Sequence, residues 1–569
     1  MKKKTTNYDL EKKAAWWAKL GNPQYGDEMV IRIERDIVNF DPYFTEGLTG
    51  IYGAWLERLV CDDWTVDPEE WNFQLAWHPA KYQKGNLAES WEFPDPTTHI
   101  IHLRKGIHYQ NIPPSNGREF TSDDVLFHYY RIYGLGGGFT KPSPYRYDIR
   151  FEDLISLTAP DKYTVIFKFK TPNPDFIMDI LHNVSLAQCL ENHDVVKKYG
   201  DMHDWHHAIG TGPFILNDFV PGNSATLVKN PDYWGHDERH PQNKIPYIDK
   251  LKLTIIPDEA AAIEAMRAGR IDCMNQISYK GAQAIRKTNP EIIQIATPGT
   301  PALSLQPRND KAPYNDLKVR KALQMAIDLP TIAKTYFEGS VDPEPSTLTA
   351  SKYMMGWGFP YEDWPQELKD EYAYNPMAAK QLLAEAGYSD GFKTNVLATT
   401  DADIGLLKIV QSYFTDIGID MEIRTMKTSD WLQYVEIEKK HDQLIYRPYG
   451  PLGHTYAPLR AITRFQTNCS GNHLMVSDPV FDSYYPKALA AKTEGQLKQV
   501  IRDMNERVAR QHYAVSLLLP LQYSLCQPWL KGFHAQIHSI WMGVGGPSML
   551  GFYASRFWVD RTLKKSLGH

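Results

Sequence analysis

Residues 210–235 read GTGPFILNDFVPGNSATLVKNPDYWG. Phe214, Leu216 and Phe219 mark an apolar strand face, Pro221-Gly222-Asn223 a turn, and Ala225 and Leu227 a returning strand, so the stretch predicts a β-hairpin. Gly210 and Gly212 are free to adopt positive φ, and Pro213 cannot donate a ladder bond, which makes the opening a backbone punctuation mark. Asn230-Pro-Asp-Tyr-Trp234 closes the return strand with a turn. No catalytic side chain sits in the stretch.

The chain around it has 569 residues, too many for one core, so two or three domains are expected. Its composition, 43% hydrophobic and 23% charged, is that of a folded globular protein rather than a disordered one. The net charge of −6 argues against a nucleic-acid binder that relies on a basic surface. Five cysteines (Cys61, Cys189, Cys273, Cys469, Cys526) form no C-x-x-C, which removes zinc-ribbon and thioredoxin readings. One disulfide fits an exported chain, and the sequence does not choose its pair. Met1-Lys-Lys-Lys4 resembles the basic start of an export signal, but no apolar run follows it. No transmembrane helix is expected, because no stretch of about 18 apolar residues occurs.

In chain order, Glu11–Leu20 suggests a short helix and Met29–Ile37 a first strand. Gly50–Val60 predicts a helix with Ile51, Ala54, Trp55 and Leu59 on one side. Cys61–Gly85 looks like an irregular insertion. Thr98–Leu103 is a strand, and Arg118–Arg131 holds a helix capped at Thr121 or Ser122. Ala159–Thr171 alternates as a strand, and Pro172–Leu190 follows as a helix. Ile248–Ile256 is a strand, and Asp258–Arg267 a helix that leads to Ala268-Gly-Arg-Ile-Asp272. Ala302–Pro307 is a short strand, and Pro313–Asp328 a helix capped at Asn315 or Asp316. Tyr374–Gly387, Lys393–Ala398, Leu406–Ile417 and Asp420–Arg424 give a helix, then a strand-helix-strand unit, the rhythm of a parallel sheet. Further helices are expected around Asp478 and Thr493.

Five blocks carry a resemblance: LAESWE at 87–92 with HLRKGIHY and FTSDDVLF, then GTGPF with NPDYW, the AGRID segment, PYNDLKVRKALQMAID at 313–328, and the capped helix 374–387. In this order they resemble the family 5 extracytoplasmic solute-binding proteins, the peptide, dipeptide and nickel receptors of ABC importers. The resemblance implies an α/β, two-lobed periplasmic-binding-protein-like fold of the large type II (cluster C) kind, with an extra N-terminal subdomain and a ligand cleft between the lobes. It implies lobe 1 over residues 1–45, 205–296 and 513–569, the extra subdomain over 46–204, and lobe 2 over 297–512. The implied protein is an extracytoplasmic monomer, periplasmic or on the cell surface with or without a lipid anchor. Its partners are a small-molecule or peptide ligand and the permease subunits of the importer, with no nucleic acid.

No G-x-S-x-G, H-E-x-x-H or dinucleotide fingerprint is present, so no catalytic residue, cofactor or metal is expected. Asp62/Asp63, Glu69/Glu70 and Asp123/Asp124 are adjacent in sequence and do not share a helix face. His203-Asp-Trp-His206-His207 matches no zinc spacing. His102 and His108 share a face only if their strand is unbroken. Two other readings compete: a receptor fold used for signalling or surface binding, and a hydrolase on an α/β scaffold.

The resemblance places ligand contacts at Tyr43 and Phe44, at Gln306 and Arg308, at Tyr446, Arg447 and Tyr449, and at Trp541 and Met542. Arginine suits a carboxylate or phosphate through its bidentate fork, and an aromatic ring supplies a stacking wall. Peptide receptors of the family carry an acid in the second-lobe turn that pairs with the free amino group. Here that turn reads Tyr446-Arg-Pro-Tyr-Gly-Pro-Leu452, a cation in place of an anion, which points to an anionic ligand.

Overall fold

Two separate sheets, each with its own core, divide the chain. A computed structural model describes residues 15–44, 51–75, 77–143, 153–172, 188–298, 303–345, 352–446, 465–469, 471–491, 493–536 and 549–569, together with Phe176 and Leu181. Among the described residues the first sheet has eight strands. Its central path runs Ile293–Pro298, Leu519–Cys526, Cys273–Ile277, Glu28–Ile33, Lys250–Ile255, Ser224–Lys229, Phe214–Val220, with Val341–Asp342 added on Leu519–Cys526. The second has five, in the order Ile419–Met426, Phe392–Thr399, Leu444–Tyr446, Ser304–Pro307, Val515–Ser516. A third, four-stranded antiparallel sheet of Ala88–Asp95, Thr98–Leu103, Thr164–Phe169 and Leu154–Asp161 forms separately, and helix Ser122–Tyr133 packs on it.

The hairpin forms where expected, with Gly222 at φ 70° in its turn. Gly210 and Gly212 do not have positive φ, contrary to expectation. Their role is close approach. A Cβ on Gly210 would lie 2.0 Å from the Trp55 carbonyl oxygen, and Gly212 donates its N–H to that oxygen at 2.9 Å. At the other end of the hairpin, Tyr233 Oη and Trp234 Nε1 donate to the two oxygens of Glu57 at 2.9 and 3.1 Å. Asn86, next to LAESWE, donates to Glu57 as well, at 3.2 Å. Two of the matched blocks therefore converge on residues 55–59. Burial raises the Glu57 carboxyl, and the four hydrogen bonds from Trp234, Thr211, Tyr233 and Asn86 oppose that rise.

That convergence corrects the helix expected over 50–60. Only a 3-10 turn, Tyr52–Ala54, forms before strand Val60–Asp62. A helix needs its own carbonyls for its own N–H groups. Here the carbonyls of Trp55, Glu57, Arg58 and Leu59 accept from Gly212, Leu190, Leu87 and both Asn86 and Ala88. Ala159–Thr171 is also corrected: it straddles a hairpin whose turn is made where the Tyr163 N–H donates to Asp161 Oδ1 at 2.8 Å. The first strand stops at Ile33, and the early helix is a 3-10 turn, Trp16–Leu20. Most of 172–190 lies outside the described residues.

The other helices start at the expected caps. Thr121 and Asp124 form a capping box. Asp258, Asp316, Asn375 and Thr493 cap helices Glu259–Arg267, Leu317–Met325, Pro376–Glu385 and Glu494–Gln511. Phe392–Thr399 lies parallel to both Ile419–Met426 and Leu444–Tyr446.

The chain passes from the first sheet to the second after Pro298 and makes its final return between Ser516 and Leu519, with Val341–Asp342 in between reaching back to pair with Leu519 and Pro520. Val515–Ser516 still pairs in the second sheet, beyond the lobe boundary expected at 513. The two crossings run side by side. Leu303 N–H donates to Leu518 O, and Leu517 N–H to Leu303 O, each at 2.9 Å. Trp71, Phe73, Trp77 and Tyr82 of the expected insertion pack beside these crossings with Met354, Trp357, Val508 and Tyr513.

Candidate ligand-binding cleft

In the first lobe, the turn at residues 39–44 is held from beneath. Asp41 is fully buried and takes both Nη atoms of Arg131, at 2.9 and 2.7 Å, as well as the N–H groups of Tyr43 and Met202. Arg131 also donates to Glu191, which His128 Nδ1 meets at 3.1 Å. Two carboxylates around one buried guanidinium keep Arg131 charged in spite of its desolvation. Above this network the Arg131 guanidinium lies 4.8 Å from the Tyr43 ring centre, and Tyr43 Oη donates to Lys141 O at 3.0 Å. Phe44 stays 39% exposed, with its ring 4.7 Å from Tyr43 and 4.6 Å from His203. An exposed phenylalanine on a rigid base is suited to stacking against a ligand.

Asp41, Asp201 and His203 bring ligand atoms within 4.8 Å of one another. Arg131 already occupies both Asp41 oxygens, so the charge a cation would need is spent. His206 stacks on Trp205 and His207 on Tyr199, away from His203. His102 pairs with Glu92 on its strand, whereas His108 lies beyond the strand's end and bonds to Gly117 O.

In the second lobe, Gln306, Arg308 and Tyr446 come together on neighbouring strands, Gln306 opposite Ile445 and Leu305 opposite Tyr446. Their environments differ from the expected ligand roles. Arg308 closes its fork on Asp310, with Nε and Nη2 each 2.7 Å from a carboxylate oxygen, and Nη1 donates to Lys439 O and His441 O. That fork is spent within the lobe, and it holds the Asp310 carboxyl below the usual range. Tyr446 is 1% exposed inside the lobe's core, where burial raises its phenol. A ring so placed packs the core of the lobe. Gln306 is fully buried; Nε2 bonds to Ser304 Oγ at 3.2 Å, and Oε1 has no partner among the described residues. Arg447, Tyr449, Trp541 and Met542 lie outside the described residues.

Parallel strands Phe392–Thr399 and Leu444–Tyr446 end at one sheet edge, the edge at which open α/β sheets bind ligands. Asp403 and Tyr336 stand there, with Tyr336 Oη donating to Asp403 Oδ1 at 2.7 Å. Asp403 caps helix Ile404–Asp416 and lies close enough to act on the Tyr446 phenol. Sequence reasoning missed both residues. The available signal was the capping Asp between a strand and a helix.

Residues 83–464 match the family model for the middle of bacterial extracellular solute-binding proteins, family 5. The chain belongs to this family. Heme-binding protein A of Haemophilus influenzae is 26% identical over 363 residues, 61% of this chain and 62% of that protein. The chain thus aligns with less than two thirds of that relative's length. Glutathione-binding protein GsiB of Shigella boydii is 25% identical over 65% of this chain and 69% of its own. Among solved structures, HbpA2 from Haemophilus parasuis superposes with a TM-score of 0.73 at 20% identity, over 94% of this chain and 100% of that one. DppA from Helicobacter pylori, in complex with the peptide STSA, gives 0.66 at 20% identity over 95% and 99%. Both support the two-lobed family fold. Among the described residues no helix is long and apolar enough to cross a membrane.

Proposed function

We propose that this family 5 protein is the extracytoplasmic receptor of an ABC importer, a binding protein without catalysis. It captures a solute between its lobes and presents the closed form to the membrane permease. The supporting observation is the paired crossing at Leu303 and Leu517–Leu518, two adjacent connections between two independently cored sheets. That construction allows hinge closure, and a ligand touching both lobes favours the closed state. The protein acts as a monomer and binds no nucleic acid.

The ligand is oligopeptide-like or another small to medium solute bearing an anionic group. Relatives named for heme, glutathione and peptides show how widely the scaffold is used. For this chain the argument rests on Arg447, which lies in a stretch, 446–452, whose sequence holds no Asp or Glu. Native mass spectrometry of the purified protein, before and after unfolding and refolding, tests the reading. A retained small molecule that is lost on unfolding and restored on its addition supports it. A covalent adduct, or turnover of ester or peptide panels, overturns it.

A further inference from the structure

Cys273 opens strand Cys273–Ile277 and Cys526 ends strand Leu519–Cys526, and the two are direct partners in the antiparallel pairing of these strands. The Gln527 N–H donates to Asp272 O at 2.8 Å. Asp272 and Gln527 are therefore the hydrogen-bonded pair, and Cys273 and Cys526 the adjacent non-hydrogen-bonded pair. At such a pair the Cα atoms approach to about 4.5 Å and both side chains leave the sheet on one face. The core confirms the shared face. Cys273 and Cys526 lie in one cluster with Ile31, while Met274 and Leu525 lie in the cluster on the other side. Disulfides span Cα separations of about 4.4–6.8 Å, a range that includes this pair.

The remaining cysteines have other surroundings. Cys61 Sγ faces Gly85 O, Cys189 lies beside Arg58, and the Cys469 carbonyl accepts from Lys439 Nζ. All five are thiols in this structure. Cys526 Sγ points at Gln527 O and Leu530 O, at 3.3 and 3.9 Å. Rotation about its χ1 exchanges these weak contacts for the face that Cys273 shares.

We infer that Cys273 and Cys526 are the disulfide pair of this protein, formed as the chain folds in an oxidising compartment. The compartment rests on the receptor reading above; the pairing rests on the register alone. One cysteine thiolate attacks an external disulfide, either a small-molecule disulfide or that of a thiol oxidoreductase, and expels one thiolate. The second cysteine thiolate then attacks the mixed disulfide and expels the other. Two protons and two electrons leave the pair, and the external disulfide is reduced to two thiols. Both sulfurs end fully buried, so the exchange precedes closure of the first sheet.

The bond joins two strands of the first sheet that lie on either side of the second lobe in the chain. Cys273 precedes the outgoing crossing after Pro298, and Cys526 follows the return before Leu519. A link there closes a loop containing the whole second sheet, and long loops lose the most unfolded-state entropy on cross-linking. It also ties the returning strand to its neighbour, giving the hinge a fixed base.

The test is to unfold and reduce the full chain and refold it in a reduced/oxidised glutathione buffer. The thiols are then trapped with iodoacetamide and the protein is digested without reductant. The expected map contains one linked peptide pair holding Cys273 and Cys526, two hydrogen atoms lighter than the free peptides, with Cys61, Cys189 and Cys469 alkylated. Alkylation of both Cys273 and Cys526 in refolded protein, or linkage of either to another cysteine, overturns the assignment. In C469S the linked pair persists if the register decides the pairing. The same map on protein recovered from cells reads the compartment separately: thiols in cells but a link after refolding would count against export and leave the pairing intact.

Discussion

Arg131 and Asp41, 90 residues apart in sequence, form a two-pronged ion pair beneath the turn that carries Tyr43 and Phe44. Both are buried, and Arg131 serves Glu191 as well. Removing the cation leaves two buried carboxylates uncompensated. Arg131→Met is expected to cost about 3–5 kcal/mol in guanidinium unfolding. Adding Asp41→Asn to it should recover part of that loss, because one orphaned charge is then removed.

Gly210 and Gly222 separate two reasons for glycine. A Cβ at Gly210 would press into the Trp55 backbone, whereas nothing lies within 4 Å at Gly222, whose φ is 70°. Gly222→Ala is expected to cost about 1–2 kcal/mol, the price of a left-handed L-residue. Gly210→Ala must displace the 55–59 segment, and thermal melts should rank it far below Gly222→Ala. Equal melts would mean that the close approach is readily relaxed.

Trp77 and Trp357 meet edge to face at 4.9 Å and join the 71–82 segment to the second lobe. Trp357→Ala should lose about 3–5 kcal/mol, the usual cost of emptying a buried tryptophan site. Because the cluster lies beside the crossings, X-ray scattering of the ligand-free variant should also show a larger radius of gyration. An unchanged radius would show that this contact does not restrain the lobes.

His99 is buried against Phe176, its ring 4.0 Å away, and neither nitrogen has a hydrogen-bond partner among the described residues. Burial lowers its pKa to about 4. The unfolded chain therefore binds this proton first, and stability contributed by neutral His99 is lost as pH falls from about 6.5 to about 4. Denaturant midpoints measured across that window should fall less steeply for His99→Phe, by roughly one proton. An identical slope would show that His99 is not the group being titrated.

Arg447→Glu should weaken an anionic ligand markedly and leave the melting curve of the ligand-free protein near that of the parent. Unchanged affinity in calorimetry would remove Arg447 from the site.

Much of the fold was legible because its signals are local. Alternation in Phe214–Lys229, a Gly in its turn, and Asp or Asn caps ahead of amphipathic runs act within a few residues of each other. The candidate site was less legible. Arg308 carries the right chemistry for a ligand carboxylate, yet Asp310, two residues on, satisfies it. Tyr446 has the right ring, but its strand turns it into the core.

By itself the sequence determined the hairpin, the helix starts and the parallel strand-helix-strand unit, since periodicity and capping are short-range. Tertiary structure alone decided that 55–59 is not a helix, where Arg131 finds its acids, and which cysteines face each other. Each of those outcomes depends on a group delivered from a distant segment, and no local pattern encodes which carbonyl, carboxylate or thiol will arrive.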